Sequence, residues 1–253
     1  MLSESKARSV RGHISRWSIA ILTAIAMFSC GKEPDEPKPP EGLSDVEVTE
    51  KSVDCYISNG GTQIYSDYLG PVRLIANSPC KKVFGLSVER MPGVESLWFL
   101  EGIESSRSVV FISGNPQLQS LDGLQSLSRT NELEVRDNAS LRSLTGLSGL
   151  EYVRPSEDPL SLPSQTPGNI TLKNNPELCS LDGLENLKEA TSIVISNCSS
   201  LRSIEAIDGL DRLDGLTILN SPVPRCQIDE FIAGLDSEPE YLDIGNVGSG
   251  SCD

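Results

Sequence analysis

The 253-residue chain contains a single histidine, His13, which lies in an N-terminal segment with the features of an export signal. A mature protein without residues 1–29 would therefore lack the commonest general base of enzymes. The sequence also contains no G-x-S-x-G, no Walker loop, no H-E-x-x-H and no EF-hand spacing. We therefore expect no enzyme activity, no cofactor and no bound metal. The alternative to this expectation is an enzyme whose active site uses carboxylates.

Basic residues are scarce, with 21 Lys and Arg against 36 Asp and Glu, which gives a net charge of −15. Residues 1–29 carry four basic residues and one acidic residue, so their removal lowers the net charge to −18. A chain of this charge is repelled by phosphate backbones and by anionic lipid headgroups. We therefore expect no nucleic acid partner and no direct binding to headgroups.

The apolar run of the N-terminal segment, Trp17–Phe28, has only 12 residues and follows several basic residues. A bilayer span needs about 20 apolar residues, so the run is typical of a signal peptide over residues 1–29. A small residue and then Cys30 follow directly, and this junction resembles the lipobox of bacterial lipoproteins. The resemblance implies that Cys30 carries a lipid. Ala24-Ile25-Ala26 offers an ordinary cleavage site, which leaves a secreted protein as the alternative.

The segment after the lipobox-like junction is rich in proline and charge, with four prolines and six charged residues in positions 31–42. Such a segment buries no core, so we expect residues 30–42 to be a solvated linker. The protein would be anchored to a bacterial membrane on its extracytoplasmic side through the lipid alone. Gly31 replaces the aspartate that in some bacteria retains lipoproteins at the inner membrane, which favours the outer membrane or the cell surface.

The cysteine count fits an oxidising compartment. An even number of cysteines follows Cys30, namely Cys55, Cys80, Cys179, Cys198, Cys226 and Cys252. They suggest three disulfides, for which 15 arrangements are possible. Nearness in sequence favours the pairs Cys55 with Cys80, Cys179 with Cys198, and Cys226 with Cys252. The sequence contains no C-x-x-C and no Cys/His cluster, so we expect neither zinc nor redox chemistry.

The main part of the chain is built from repeats, most of them 23 residues apart. Five short apolar-x-apolar segments are typical of strands: Val110–Ile112, Leu133–Val135, Ile170–Leu172, Ile193–Ile195 and Leu216–Ile218. Four of them precede apolar residues at every third position: Leu118, Leu121, Leu124, Leu127; Leu141, Leu144, Leu147, Leu150; Leu178, Leu181, Leu184, Leu187; Leu201, Ile204, Ile207, Leu210. A period of three fits 3₁₀ turns or regular corners. The pattern predicts a β-rich solenoid of stacked parallel strands.

Small and polar residues mark the turns of each repeat. Asn174, Asn197 and Asn220 occupy one turn position, and Asn115, Asn138 and Asn175 occupy the next. Such residues tolerate left-handed backbone, so we interpret them as structural turns. A second column, Gly123, Gly146, Gly183 and Ala206, predicts a corner where a side chain would obstruct stacking. An earlier repeat at 86–103 aligns with the next repeat in one of two ways. Either it precedes that repeat by 24 residues, or its residues 100–103 correspond to residues 121–124.

The unit I-x-x-N-P-x-L-x-S-L-D-G-L-x-x-L, present at Ile112–Leu127 and, with leucine in its first position, at Leu172–Leu187, resembles the receptor L-domain branch of leucine-rich-repeat-like proteins. The resemblance covers residues 85–253. It implies a right-handed solenoid that presents one sheet face to ligands and that occurs on bacterial surface lipoproteins. We divide the chain into a signal peptide, a linker, an N-terminal cap at 43–84, a solenoid at 85–225, and a C-terminal cap helix and tail at 226–253.

Two surfaces are candidates for binding. The first is the outward sheet face, with Phe111, Ser113, Glu134, Arg136, Thr171, Lys173, Val194 and Thr217. The second is an insertion of 14 residues within 151–168, with Tyr152, Arg154, Glu157 and Asp158. We expect a non-catalytic lipoprotein of the cell envelope that binds a protein or a polysaccharide. The alternative is a passive, self-associating envelope component.

Overall fold

Two parallel sheets run along the repeats in the computed structural model, which describes residues 62–65, 82–83, 85–155 and 168–249. The large sheet contains β1 (Thr62–Tyr65), β3 (Leu86–Glu89), β5 (Val109–Ser113), β7 (Glu132–Arg136), β9 (Asn169–Lys173), β11 (Ser192–Ser196), β12 (Gly215–Pro224) and β13 (Tyr241–Gly248). The small sheet contains β2 (Lys82–Val83), β4 (Ser105–Ser106), β6 (Arg129–Thr130), β8 (Tyr152–Val153) and β10 (Glu189–Ala190). In both sheets the strands lie side by side in chain order.

The strands of the large sheet are paired in the register that the repeat predicts. Ile170 of β9 pairs with Ile193 of β11, and Ile193 pairs with Leu216 of β12. The first and last residues of each of the five predicted strands are at most 1 % exposed, and the residues of the four predicted ladders are at most 2 % exposed. The core therefore lies between the large sheet and the ladders, as the pattern of the sequence indicates.

The ladders turn by hydrogen bonds between residues three apart. The amide of Leu147 donates to the carbonyl of Leu144 at 2.7 Å, and the amide of Leu150 donates to that of Leu147 at 2.8 Å. Short 3₁₀ helices occupy Trp98–Leu100, Thr145–Leu147 and Glu205–Ile207. These turns explain the period of three, since a 3₁₀ turn places every third side chain on the same side.

The glycine corner confirms the predicted need for small residues. A Cβ added at Gly123, Gly146 or Gly183 would lie 1.9–2.0 Å from a backbone oxygen of the preceding repeat. No side chain fits at that distance, so the glycines permit adjacent repeats to approach. Gly123 and Gly183 also have φ angles of 117° and 110°, in which residues with side chains are strained.

The first repeat has the spacing of 24, and the alternative register is wrong. Leu86 of β3 pairs with Val110 of β5. A further strand, β1, precedes β3 at the same spacing, with Thr62 paired to Leu86. Thus the region predicted as an N-terminal cap contributes one strand to the large sheet and β2 to the small one.

The C-terminal region contains a helix and a final strand. Helix α1 (Arg225–Gly234) follows β12 directly and buries Ile228 and Phe231. The strand β13 then pairs in parallel with β12, where the sequence analysis places only a tail. No helix of the described ranges is long and apolar enough to cross a bilayer.

Candidate functional site

A ladder of buried asparagines fixes the turns that end the strands of the large sheet. The side-chain amide of Asn138 donates to the carbonyl of Ile112 at 3.1 Å, while its oxygen accepts from the backbone amide of Asn115 at 3.0 Å. Asn175 in turn accepts from the backbone amide of Asn138 at 3.1 Å. All three asparagines are completely buried. They act as structural residues, as the turn analysis predicts, because their polar groups are bonded within the fold.

A second ladder of amides lies on the surface beside the first. Asp137, Asn174, Asn197, Asn220 and Asn246 have left-handed φ angles of 50–56°. Each amide of this series donates to the side-chain oxygen of the preceding member at 2.7–2.9 Å. The surface ladder therefore borders the outward face of the large sheet with a regular row of bonded polar groups.

The outward face of the large sheet carries all eight residues predicted for ligand binding, in two columns. Pairing in register places Phe111, Glu134, Thr171, Val194 and Thr217 in one column and Ser113, Arg136 and Lys173 in the next. Lys173 is exposed, and the other seven are half-buried. The face is therefore a shallow surface with side chains of different chemistry on neighbouring strands.

One cluster of contacts stands out on this face. The guanidinium carbon of Arg136 lies 4.7 Å from the centre of the Phe111 ring. Its Nε also lies 3.2 Å from a carboxylate oxygen of Glu134, and 43 % of the Arg136 side chain is exposed. Partial burial, together with the charge of Glu134, raises the pKa of the neighbouring Glu132. The cluster therefore presents an aromatic ring, a cation and carboxylates together.

Tyr152, predicted from the insertion, lies in a cluster of cations on the small sheet. The charged groups of Arg129, Arg154 and Lys188 lie 5.3–5.6 Å from the centre of its ring. Tyr152 also lines a groove of about 460 Å³, as do Arg154 and Lys188.

Acidic neighbours compensate two of these cations. The Nζ of Lys188 lies 2.6 Å from a carboxylate oxygen of Glu151, and Arg154 lies 2.9 Å from one of Glu189. The hydrogen bond to Glu151 raises the pKa of Lys188. Two of the three cations are therefore neutralised, which weakens the cluster as an anion site.

An acidic hollow of about 370 Å³ lies beside α1, with Glu205, Asp208 and Glu230 in its wall. Partial burial, followed by repulsion from Glu205 and Glu230, raises the pKa of Asp208. No group of three or more His, Cys, Asp or Glu residues within the described ranges is placed to hold a metal ion. The hollow therefore offers negative charge without a metal-binding arrangement.

The predicted pairing of Cys179 with Cys198 is wrong. Cys198 is a free thiol that is completely buried, and this burial raises its pKa to about 11. It occupies the position of an asparagine in the buried ladder, and its sulfur lies 3.8 Å from the carbonyl oxygen of Leu172. Its side chain therefore faces the core, whereas Cys179 is half-buried. Cys179 and Cys226 each form a disulfide.

Several residues named in the sequence analysis lie outside the described ranges. They are Cys30, with its proposed lipid, the insertion residues Glu157 and Asp158, and the cysteines Cys55, Cys80 and Cys252. For these residues the expectations of the sequence analysis stay predictions.

Sequence reasoning finds the outward face but misses the contacts within the small sheet. Alternation along each strand is sufficient to predict that Phe111 and Arg136 face outward. The strands that join Arg129 to Tyr152 have two residues each, too few to show alternation. No protein-family model, curated protein or solved structure matches the chain.

Proposed function

We propose that the protein is a non-catalytic binding module that holds a protein or polysaccharide ligand on the outward face of its large sheet. In this proposal the parallel strands form a right-handed solenoid of the receptor L-domain type. Cys30 carries a lipid that anchors the module on the extracytoplasmic side of a bacterial membrane, and residues 31–42 serve as the tether. The observation that carries the proposal is the contact cluster of Phe111, Glu134 and Arg136.

The contrast between the two sides of the large sheet supports this proposal. The inward positions of β5, β7 and β9 are all apolar, and the residues Ile112, Val135 and Leu172 are completely buried. The outward column instead changes from an aromatic residue to a carboxylate and then to a hydroxyl along the same three strands. A scaffold with a constant interior and a varied exterior suits recognition, because the surface changes without altering the core.

The cluster also has the composition of a binding centre. Aromatic residues and arginine are enriched where interfaces contribute most of their binding energy. Phe111 and Arg136 lie on adjacent strands and contact each other before a ligand arrives. Because this contact already restricts both side chains, fewer rotamers are lost when the ligand binds, which reduces the entropy cost of binding.

The test is a quantitative capture experiment with the full chain immobilised against a cell-envelope extract. A partner retained by the wild type should be lost with Phe111→Asp, because a carboxylate would replace the aromatic contact. Arg202→Gln is the control, since it changes the net charge by the same amount at an exposed position. Thermal unfolding of each variant by circular dichroism verifies that the fold is retained.

The insertion is tested separately by deleting residues 156–167. This deletion keeps β8 and Gly168, whereas a deletion of 151–168 would remove backbone pairing of the small sheet, such as the pairing of Tyr152 with Glu189. Equal capture by the wild type, Phe111→Asp and the deletion variant would contradict binding at both named surfaces. Self-association of the wild type without any captured partner would favour the passive envelope component.

A further inference from the structure

The strand β13 leaves inward-facing apolar residues open at the end of the large sheet. Leu242 pairs with Leu216, so both face inward, yet Leu216 is fully buried and Leu242 is 39 % exposed. Ile244, the next inward residue, is also only partly buried. Tyr241 lies on the outward side and is 61 % exposed. Among the described residues β13 is the last strand of its sheet, so its outer edge offers backbone groups for pairing.

The chain segment that contains this edge carries charge of one sign. Residues 226–249 contain six acidic residues and neither lysine nor arginine. Asp236, Glu238 and Glu240 precede β13, and Asp243 lies within it on the outward side, in register with Thr217. Because like charges repel, this edge disfavours pairing with the same edge of a second copy. It favours a segment of opposite charge.

We propose that the edge of β13 binds, by strand addition, an extended segment of a partner protein in which apolar residues alternate with lysine or arginine. Inward apolar side chains of that segment cover Leu242 and Ile244. The outward basic side chains lie beside Asp243 and beside the ring of Tyr241, where an ion pair and a cation–π contact form. Backbone bonds to the edge supply affinity, and the alternation supplies specificity.

This site is separate from the contact cluster of Phe111, Glu134 and Arg136, because β9, β11 and β12 lie between that cluster and β13. A variant that loses ligand on the face, such as Phe111→Asp, should bind normally at the edge. The two proposals therefore fail separately.

The experiment measures fluorescence anisotropy of a labelled eight-residue peptide of alternating lysine and valine, titrated with the full chain. The matched probe replaces each lysine with glutamate. We expect saturable binding of the lysine peptide only, weakened at least tenfold by Leu242→Ser and by Asp243→Lys. Leu219→Ser changes a half-buried outward leucine on the neighbouring strand, and Asp182→Lys makes the same charge change at an exposed turn. Both controls should bind like the wild type.

Four results would overturn the proposal. Binding of neither peptide, or equal binding of both, would show that the edge does not select a basic strand. Equal weakening by Asp182→Lys and Asp243→Lys would indicate general charge attraction. If Leu242→Ser bound the lysine peptide with wild-type affinity, the apolar contact with Leu242 would not contribute to binding. Dimerisation of the wild type in light scattering, abolished by Leu242→Ser, would make a second copy the occupant.

Discussion

Asn138→Ala tests whether the buried asparagine ladder is a main source of stability. The side chain of Asn138 satisfies two backbone groups of the preceding repeat, the carbonyl of Ile112 and the amide of Asn115. Asn138 is completely buried, so water does not reach these groups when the side chain is removed. The side-chain amide of Asn115 keeps its bond to the carbonyl of Val88.

The expected loss follows from the number of groups left without a partner. A buried donor or acceptor that loses its partner costs about 1–3 kcal/mol, so two such groups lower the free energy of unfolding by about 2–6 kcal/mol. A protein domain is stable by only about 5–15 kcal/mol. The substitution should therefore shift the midpoint of unfolding strongly, although it removes a single polar side chain.

Urea denaturation followed by circular dichroism measures this loss, with the slope of the transition as a test of two-state unfolding. The control is Asn197→Gly in the surface ladder, which removes bonds of 2.8 and 2.9 Å to Asn174 and Asn220. Glycine accepts the φ of 56° at this position, and water replaces the lost bonds, so the loss should be about 1 kcal/mol. A loss for Asn138→Ala no larger than that of the control would refute the role of burial.

Three further substitutions examine other parts of the fold. Cys198→Asn should stabilise the protein by about 0.5–1.5 kcal/mol in urea denaturation, because an amide would continue the ladder beside Asn175; a lower stability would show that the site does not accept it. Gly146→Ala should lower the thermal midpoint more than Gly93→Ala, since a Cβ would lie 2.0 Å from a backbone oxygen at Gly146, whereas at Gly93 it would meet no atom within 4 Å apart from its chain neighbours. Asp208→Asn should raise the thermal midpoint at pH 7 but not at pH 3. The pKa of Asp208 is raised in the folded state, so its ionised form opposes folding above that pKa and its penalty disappears below the unfolded pKa; an equal effect at both pH values would contradict this cause.

The interior could be predicted from the sequence because every repeat buries the same kind of side chain at the same position. Leu121 and Leu144, for example, are equivalent residues of adjacent ladders, and both are completely buried. The small sheet could not be predicted, since each of its strands has only one inward residue. These residues also differ in chemistry, from the apolar Val83 to the polar Ser106. A single residue shows no periodicity.

The candidate surfaces were predictable only in part. Alternation along the strands assigns Phe111 and Arg136 to the outward face, but their contact depends on side-chain conformations. The cations around Tyr152 come from residues as far apart as Arg129 and Lys188, which the small sheet brings together. The free thiol of Cys198 was missed because pairing by nearness in sequence ignores which side of a turn each cysteine faces.

The separation of inward and outward residues also determines how binding is tested. Substitutions away from the core and from buried polar groups usually change stability by less than about 0.5 kcal/mol. Phe111 is only half-buried on the outward face, and Leu242 is 39 % exposed at the edge, so changes there should alter binding far more than folding. Changes at Asn138 or Gly146 should do the opposite. A partner lost with a surface variant of unchanged thermal midpoint therefore identifies a contact, whereas a loss that accompanies a lower midpoint identifies a defect of the scaffold.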